Sequence, residues 1–332
     1  MIPELLDRLF DVQLFGYTTF RVAAAALTAF ALALWWGKPA IAWLRRHRVG
    51  EDTTKTDQRE LADLTVKMGK KDTPTMGGSF LIAALLAAVL LWGRLDNLDL
   101  VLAVLLTLGF GAVGFVDDFK KLTIPGCKGL SVRAKMLGLS VVAGSVLLCF
   151  TYYAVSTGRD TLLTLYPPFL KDVTLGLAGL GTLGVLLFVF FQWLVVVGTS
   201  NACNITDGLD GLAAGCMVIS GLALSIFCYV TGRADWTGYL HLPHIGAASE
   251  MAVVGGALCG ACLGSSWLQT RWYRSTGGKR LFTCAPIHHG LQLKGGIFAP
   301  SAAPWHEVTI VVRAWIVSAA CALAALALMK VR

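Results

Sequence analysis

Eight apolar runs, most of them ~20 residues or longer, constrain what this 332-residue chain can fold into more than any other feature. They lie at about 18–43, 77–93, 98–116, 131–154, 174–197, 209–230, 247–268 and 308–330. A helix rising 1.5 Å per residue needs ~20 residues to cross the hydrocarbon core of a bilayer. Backbone groups inside hydrocarbon must be paired within the segment, and a single run achieves this only as an α-helix. With 56% hydrophobic and 14% charged residues, the composition excludes a soluble domain of this size. The expectation is an all-α polytopic membrane protein with about eight transmembrane helices, built as one integral membrane domain over residues 1–332. The N-terminus lacks the basic, apolar, then small-residue pattern of a cleaved signal, so the first helix is expected to stay.

The formal charge of +8 could point to nucleic acid, but its placement points to topology. Lys and Arg concentrate in cytoplasmic loops. The first connection carries Arg45, Arg46, Arg48, Lys55, Arg59, Lys67, Lys70 and Lys71. The third carries Lys120, Lys121, Lys128, Arg133 and Lys135, and the last carries Arg271, Arg274, Lys279, Arg280 and Lys294. The intervening loops hold only Arg94, Arg159, Lys171 and Arg233. Both termini are therefore expected to face outward, with the odd-numbered connections cytoplasmic. Most of the nine Cys sit in apolar runs and read as small packing residues; Cys259 and Cys262 have redox spacing but lie within a membrane helix.

This orientation puts every polar motif on one face. Asp117-Asp118 ends the third run, followed by Lys120 and Lys121. Carboxylates at the edge of hydrocarbon are costly and suggest function, either metal binding or proton abstraction. A plain charged helix end is the alternative, although acidic groups oppose the dipole there. Asn201-Ala-Cys-Asn204-Ile-Thr-Asp207-Gly-Leu-Asp210-Gly joins the fifth and sixth runs. Its amides and carboxylates can read a nucleoside or ligate a metal, and one of them can simply cap a helix. Lys70-Lys-Asp-Thr-Pro-Thr75-Met-Gly-Gly78 can hold phosphate oxygens, or only fix topology. Pro286-Ile-His288-His289-Gly290, with Lys294, lies in the last cytoplasmic loop. Adjacent His can bind phosphate, ligate metal or move protons. A cytoplasmic site at the bilayer edge implies one cytosolic substrate and one lipid substrate.

Together these motifs resemble the phospho-N-acetylmuramoyl-pentapeptide transferase family, the lipid I synthases of bacterial wall assembly. The resemblance rests on Thr73-Pro-Thr-Met-Gly-Gly78, Gly114-Phe-Val-Asp-Asp-Phe-Lys120, Gly198-Thr-Ser-Asn-Ala202, Thr206-Asp-Gly-Leu-Asp-Gly-Leu212, Gly278-Lys-Arg-Leu-Phe282 and Ala285-Pro-Ile-His-His289. It implies transfer of phospho-MurNAc-pentapeptide from UDP-MurNAc-pentapeptide to undecaprenyl phosphate, giving lipid I and UMP with Mg²⁺, at the cytoplasmic side of the inner membrane. It implies catalytic roles for Asp117, Asp118, His288 and His289. Substrate contacts would come from Lys70, Thr75, Lys120, Lys121, Lys135, Asn201, Asn204, Asp207 and Asp210, and metal ligands from Asp117, Asp118 and Asp207. A homodimer is a further expectation, and no nucleic acid is.

The chain also departs from the family pattern. A Phe-Met-Gly-Asp-x-Gly-Ser element, whose Asp is a Mg²⁺ ligand, has no counterpart between Glu250 and Arg280. Roughly forty-five residues are missing there, worth about two crossings, so orientation after the gap is preserved. Asp72, Glu250 and Glu307 are the acids that could replace the missing ligand. The third His of the family loop is Gly290, and Asp72 replaces a Gly. An impaired member that binds lipid phosphate or a partner without transferring is the alternative reading.

Overall fold

Each apolar run forms a helix. The computed structural model describes residues 2–11, 13–46, 77–124, 127, 129–167, 170, 173–207, 209, 211–275 and 307–329. The helices among them are α1 (Ile2–Phe10), α2 (Thr18–Arg46), α3 (Gly77–Trp92), α4 (Leu98–Thr123), α5 (Val132–Ser156), α6 (Gly181–Thr206), α7 (Leu212–Thr231), α8 (Ala234–Leu240), α9 (Met251–Ser275) and α10 (Glu307–Leu328). Seven are long and apolar enough to cross a membrane, and α3, at 16 residues, is the shorter eighth. The short helices α1 and α8 add to the expected set. α1 leaves Leu5, Leu9 and Phe10 exposed beside Asp7 and Arg8, as suits a bilayer interface.

Two boundaries differ from expectation in ways that matter. α4 continues through Asp117 and Asp118 to Thr123, so the acidic pair lies inside a helix and not at its end. Lys120 and Lys121 in the last turn complement the helix dipole that the acids oppose. α6 begins at Gly181, because Leu175–Gly176 pairs antiparallel with Thr164–Leu165 in a two-residue ladder. It then runs past the expected 197 to Thr206, so Asn201 and Asn204 are helical rather than in a loop. Asn201 Nδ2 donates to the Val197 carbonyl at 2.9 Å and Thr206 Oγ1 to that of Ala202 at 2.8 Å, which ties these polar side chains to the helix.

The central helix is α9. Its apolar window is 61% buried, whereas the window of α10 is 6% buried, leaving α10 largely free for lipid. α2 lies along α9 where Gly256, Gly260 and Gly264 recur every fourth residue. A Cβ on Gly256 would sit 2.7 Å from the Val22 carbonyl oxygen, and one on Gly264 2.9 Å from that of Phe30. Gly260 faces the Ala26 carbonyl, and Ala25, Ala29 and Ala33 are fully buried. Small residues thus let two backbones touch, which is how membrane helices gain packing without a hydrophobic driving force. The Gly-rich stretch Leu175–Gly184 makes no such interhelical contact: Gly184 packs on the Leu177 carbonyl just before α6, and Gly176, Gly179 and Gly181 meet nothing within 4 Å. They serve the turn before α6.

At one end of the bundle Arg21 of α2 donates to both carboxylate oxygens of Glu250, at 2.6 and 2.7 Å. Both residues are buried. The backbone N–H of Arg94 also donates to Glu250, at 3.2 Å, and Asn97 Nδ2 donates to the Ala247 carbonyl at 2.9 Å. This overturns the expectation that Glu250 could serve as a substitute ligand. Glu250 sits beside the start of α4, and the 19 residues from Leu98 to Asp117 rise ~29 Å along that helix. Its oxygens are also already bound. Asp72 lies outside the described residues, as does the side chain of Glu307.

Candidate active site

The far end of α4 carries the site. Asp117, 8% exposed, points toward the loop that returns to α5. The loop is short: α4 closes with the Ile124 N–H on the Lys120 carbonyl, and Ser131 caps α5 by accepting from the Ala134 N–H at 3.2 Å. Between them the Leu130 N–H donates to Asp117 Oδ1 at 2.7 Å. Lys121, one turn on, reaches Asp117 Oδ2 at 2.9 Å and Asp118 Oδ1 at 3.1 Å. One ammonium therefore bridges both carboxylates.

Gly129 makes this possible. Its φ of +94° lies in the left-handed region. A Cβ there would come 2.5 Å from Asp117 Oδ1 and 2.7 Å from Lys121 Cε. Neither Gly129 nor the Leu130 amide was anticipated. The only available signal was a Gly next to a polar helix start, in a loop too short to avoid crossing the acids.

The neighbouring helices bring further predicted residues to the same end. Lys135 of α5 donates to Asn204 Oδ1 of α6 at 3.3 Å. Asn201 lies one turn before Asn204 and also contacts Met136 Sδ at 3.3 Å. Asp207 is the C-cap of α6, its N–H on the Cys203 carbonyl. The turn that follows is braced by α10: Leu209, Leu212 and Ile310 form a buried cluster, and Trp315 Nε1 donates to the Gly211 carbonyl at 3.2 Å. The start of α10 thus lies beside the Asp207 turn. Lys120 is exposed in the last turn of α4. Lys70, Thr75, Asp210, His288 and His289 lie outside the described residues. Thr75 precedes the start of α3, whose Ile82 packs near Gly111, under two turns from Asp117.

Phe115 and Phe119 flank the acids on α4, stacked at 6.0 Å and each about half exposed. The site therefore combines a buried carboxylate, a second carboxylate, a cluster of cations and an open aromatic edge. Among the described residues no three His, Cys, Asp or Glu side chains lie together as a metal centre, so Asp207 does not join Asp117 and Asp118 in one ligand set. The donor chemistry of the pair still fits Mg²⁺, which binds through one or two carboxylates plus substrate phosphates and water. That one cation already bridges the pair at Lys121 shows that the position accepts positive charge.

Comparison with known proteins shows the family of the chain. Residues 100–272 match the family described as glycosyl transferase family 4. The chain is 34% identical to the phospho-N-acetylmuramoyl-pentapeptide-transferases of Neisseria gonorrhoeae strains NCCP11945 and FA 1090, covering 97% of this chain and 96% of each relative. It is 33% identical, over the same shares, to that of Neisseria meningitidis serogroup C strain 053442. The fold and site are those of a polytopic membrane transferase. The chain belongs to the phospho-N-acetylmuramoyl-pentapeptide-transferase family. The first alignment spans 371 positions against 332 residues here, so at least 39 positions of it have no residue of this chain.

Gly129→Ala tests the loop geometry. The substitution strains the backbone and pushes Asp117 and Lys121 aside. A displacement of this size is expected to lower turnover about 10- to 100-fold with the protein still folded. Turnover and thermal unfolding measured on the same preparation decide it, and unchanged turnover would mean that the loop does not position Asp117.

Proposed function

We propose that this chain transfers phospho-MurNAc-pentapeptide from UDP-MurNAc-pentapeptide to undecaprenyl phosphate, giving lipid I and UMP for peptidoglycan synthesis. The reaction occurs at the cytoplasmic face of the bacterial inner membrane, on a single integral domain with both termini outward, acting as a homodimer. The observation that carries this reading is the Asp117–Asp118 pair, gathered by Lys121 at the end of a membrane-spanning helix beside the exposed Phe115–Phe119 edge. It is a site that a lipid phosphate can approach from the bilayer and a nucleotide from the cytosol. The names of the relatives support the substrates.

In chemical terms an oxygen of the lipid phosphate attacks the sugar-bound phosphorus. A new P–O bond forms, the bond to the UMP phosphate breaks, and UMP leaves with the electron pair. Asp117 orients the lipid phosphate and holds its proton if it arrives protonated. Asp118 keeps Lys121 aimed at the reacting phosphates. Lys120 and Lys135, with Lys70, offset charge on the diphosphate, and Thr75 donates to a phosphate oxygen. Asn201, Asn204, Asp207 and Asp210 hold the nucleoside, and His288 and His289 act beside the diphosphate. Asp117 and Asp118, with the substrate phosphates, would hold Mg²⁺, which would supply charge neutralisation.

The test is UMP release by purified protein given UDP-MurNAc-pentapeptide and undecaprenyl phosphate. Release that stops on chelation and returns with Mg²⁺ is the expected result. Folded protein that binds the lipid phosphate but releases no UMP would overturn the reading and favour the impaired, lipid-binding alternative.

A further inference from the structure

A cavity of about 610 Å³ lies away from the transfer site, between α4, α5, α6, α7 and the end of α10, at the opposite end of the bundle. Its walls are mainly apolar, with Leu102, Leu106, Phe150, Phe188 and Phe227, and carry the polar side chains of Gln192 and Thr231. A second, polar pocket of about 300 Å³ adjoins it, with Asp99 lining both.

The same elements line the two spaces in order. On α4, Asp99 faces the polar pocket, and Leu102 and Leu106 follow in the apolar cavity. On α5, Tyr153 borders the polar pocket, and Phe150 and Val146 follow. The segment before α9 divides likewise, with Ser249 on the polar side and Ala248 on the apolar side. The two spaces form one recess, polar at the helix ends and apolar inward for ~10 Å, the rise of the seven residues from Asp99 to Leu106.

The charges at its mouth select a ligand. Glu250 is neutralised by Arg21. That leaves Arg94 and Arg159 against Asp96 and Asp99, and none of these four takes part in an ion pair within 4.0 Å among the described residues. Two cations and two carboxylates with no net charge suit a zwitterion. Guanidinium groups match a phosphate, and carboxylates match an ammonium that donates hydrogen bonds. An apolar cavity between membrane helices suits a hydrocarbon chain and not water.

We propose that this recess binds one zwitterionic aminophospholipid of the surrounding bilayer, with an acyl chain in the apolar cavity and the phosphoethanolamine headgroup in the polar pocket. The site is separate from the transfer reaction and does not depend on it. An anionic headgroup would leave Asp96 and Asp99 unmatched. A choline headgroup has no N–H to offer them.

Native mass spectrometry of the full chain, with equal amounts of phosphatidylethanolamine, phosphatidylcholine and phosphatidylglycerol, tests it. One phosphatidylethanolamine per chain is expected, retained about tenfold over the other two. Arg159→Gln, at the exposed mouth, is expected to bring its retention down to theirs. Ala103→Phe, which fills the cavity from α4, is expected to lower retention of all three. Equal retention of the three headgroups by the unaltered protein overturns the proposal. So does phosphatidylethanolamine retention unaffected by either substitution.

Discussion

Asp117→Asn is expected to lower UMP release by about 10³-fold or more while leaving the fold intact. The asparagine oxygen can still accept the Leu130 N–H that reaches Asp117 Oδ1 at 2.7 Å. Its amide nitrogen would then face Lys121 Nζ, where a carboxylate oxygen stands at 2.9 Å. Donor meets cation, so Lys121 shifts wholly to Asp118, and the position facing substrate loses its negative charge. The loop is retained, so thermal stability should change little, and the defect should appear in turnover and not in folding. Binding of Mn²⁺ in place of Mg²⁺, followed by electron paramagnetic resonance, supplies a readout apart from turnover and should weaken. Full turnover in Asp117→Asn would reduce Asp117 to an anchor for the loop and move the chemistry elsewhere.

The second large effect lies at the other end of the bundle. Arg21→Met leaves the Glu250 carboxylate buried without the guanidinium that now holds it at 2.6 and 2.7 Å. Removing one partner of a buried pair costs about 3–5 kcal/mol, because the remaining charge stays desolvated. The loss should be larger than for an average substitution, since Glu250 also accepts from the Arg94 backbone and so links the α3–α4 turn to the start of α9. Combining Arg21→Met with Glu250→Leu removes both charges and should recover much of the loss. Denaturant unfolding of the single and double variants in detergent decides this. A single variant within about 1 kcal/mol of the unaltered protein would mean that water reaches the pair.

The membrane helices were legible because a ~20-residue apolar run in a bilayer has one way to satisfy its backbone. The polar motifs were legible because charged groups beside hydrocarbon are costly without a function. Helix ends were less so. Asp117 read as the end of a span, and Asn201 and Asn204 as loop residues, because polarity usually marks where a span stops, yet α4 and α6 carry them inside their final turns. Propensity does not resolve this, because a helix can continue past the hydrocarbon wherever its last carbonyls find donors. The central helix contact is not legible for a related reason. Glycines at Leu175–Gly184 and at Gly256–Gly264 look alike in sequence, and only the partner helix reveals which ones face a backbone.

Glu250 shows the limit most clearly. As a residue it is an acid in a segment where an acidic ligand is missing, and its chemistry alone made it a fair substitute. Its position, ~29 Å along α4 from Asp117 and held by Arg21, removes it from the site. The amino-acid sequence by itself determined the fold class, the family and the inventory of reactive groups, because these follow from local chemistry and spacing. Tertiary structure alone decided which groups meet. Lys135 on Asn204 and Arg21 pairing with Glu250 across 229 positions depend on how helices pack, which is set by contacts between segments distant in the chain, whereas Lys121 reaches its two acids within α4 once that helix continues past them.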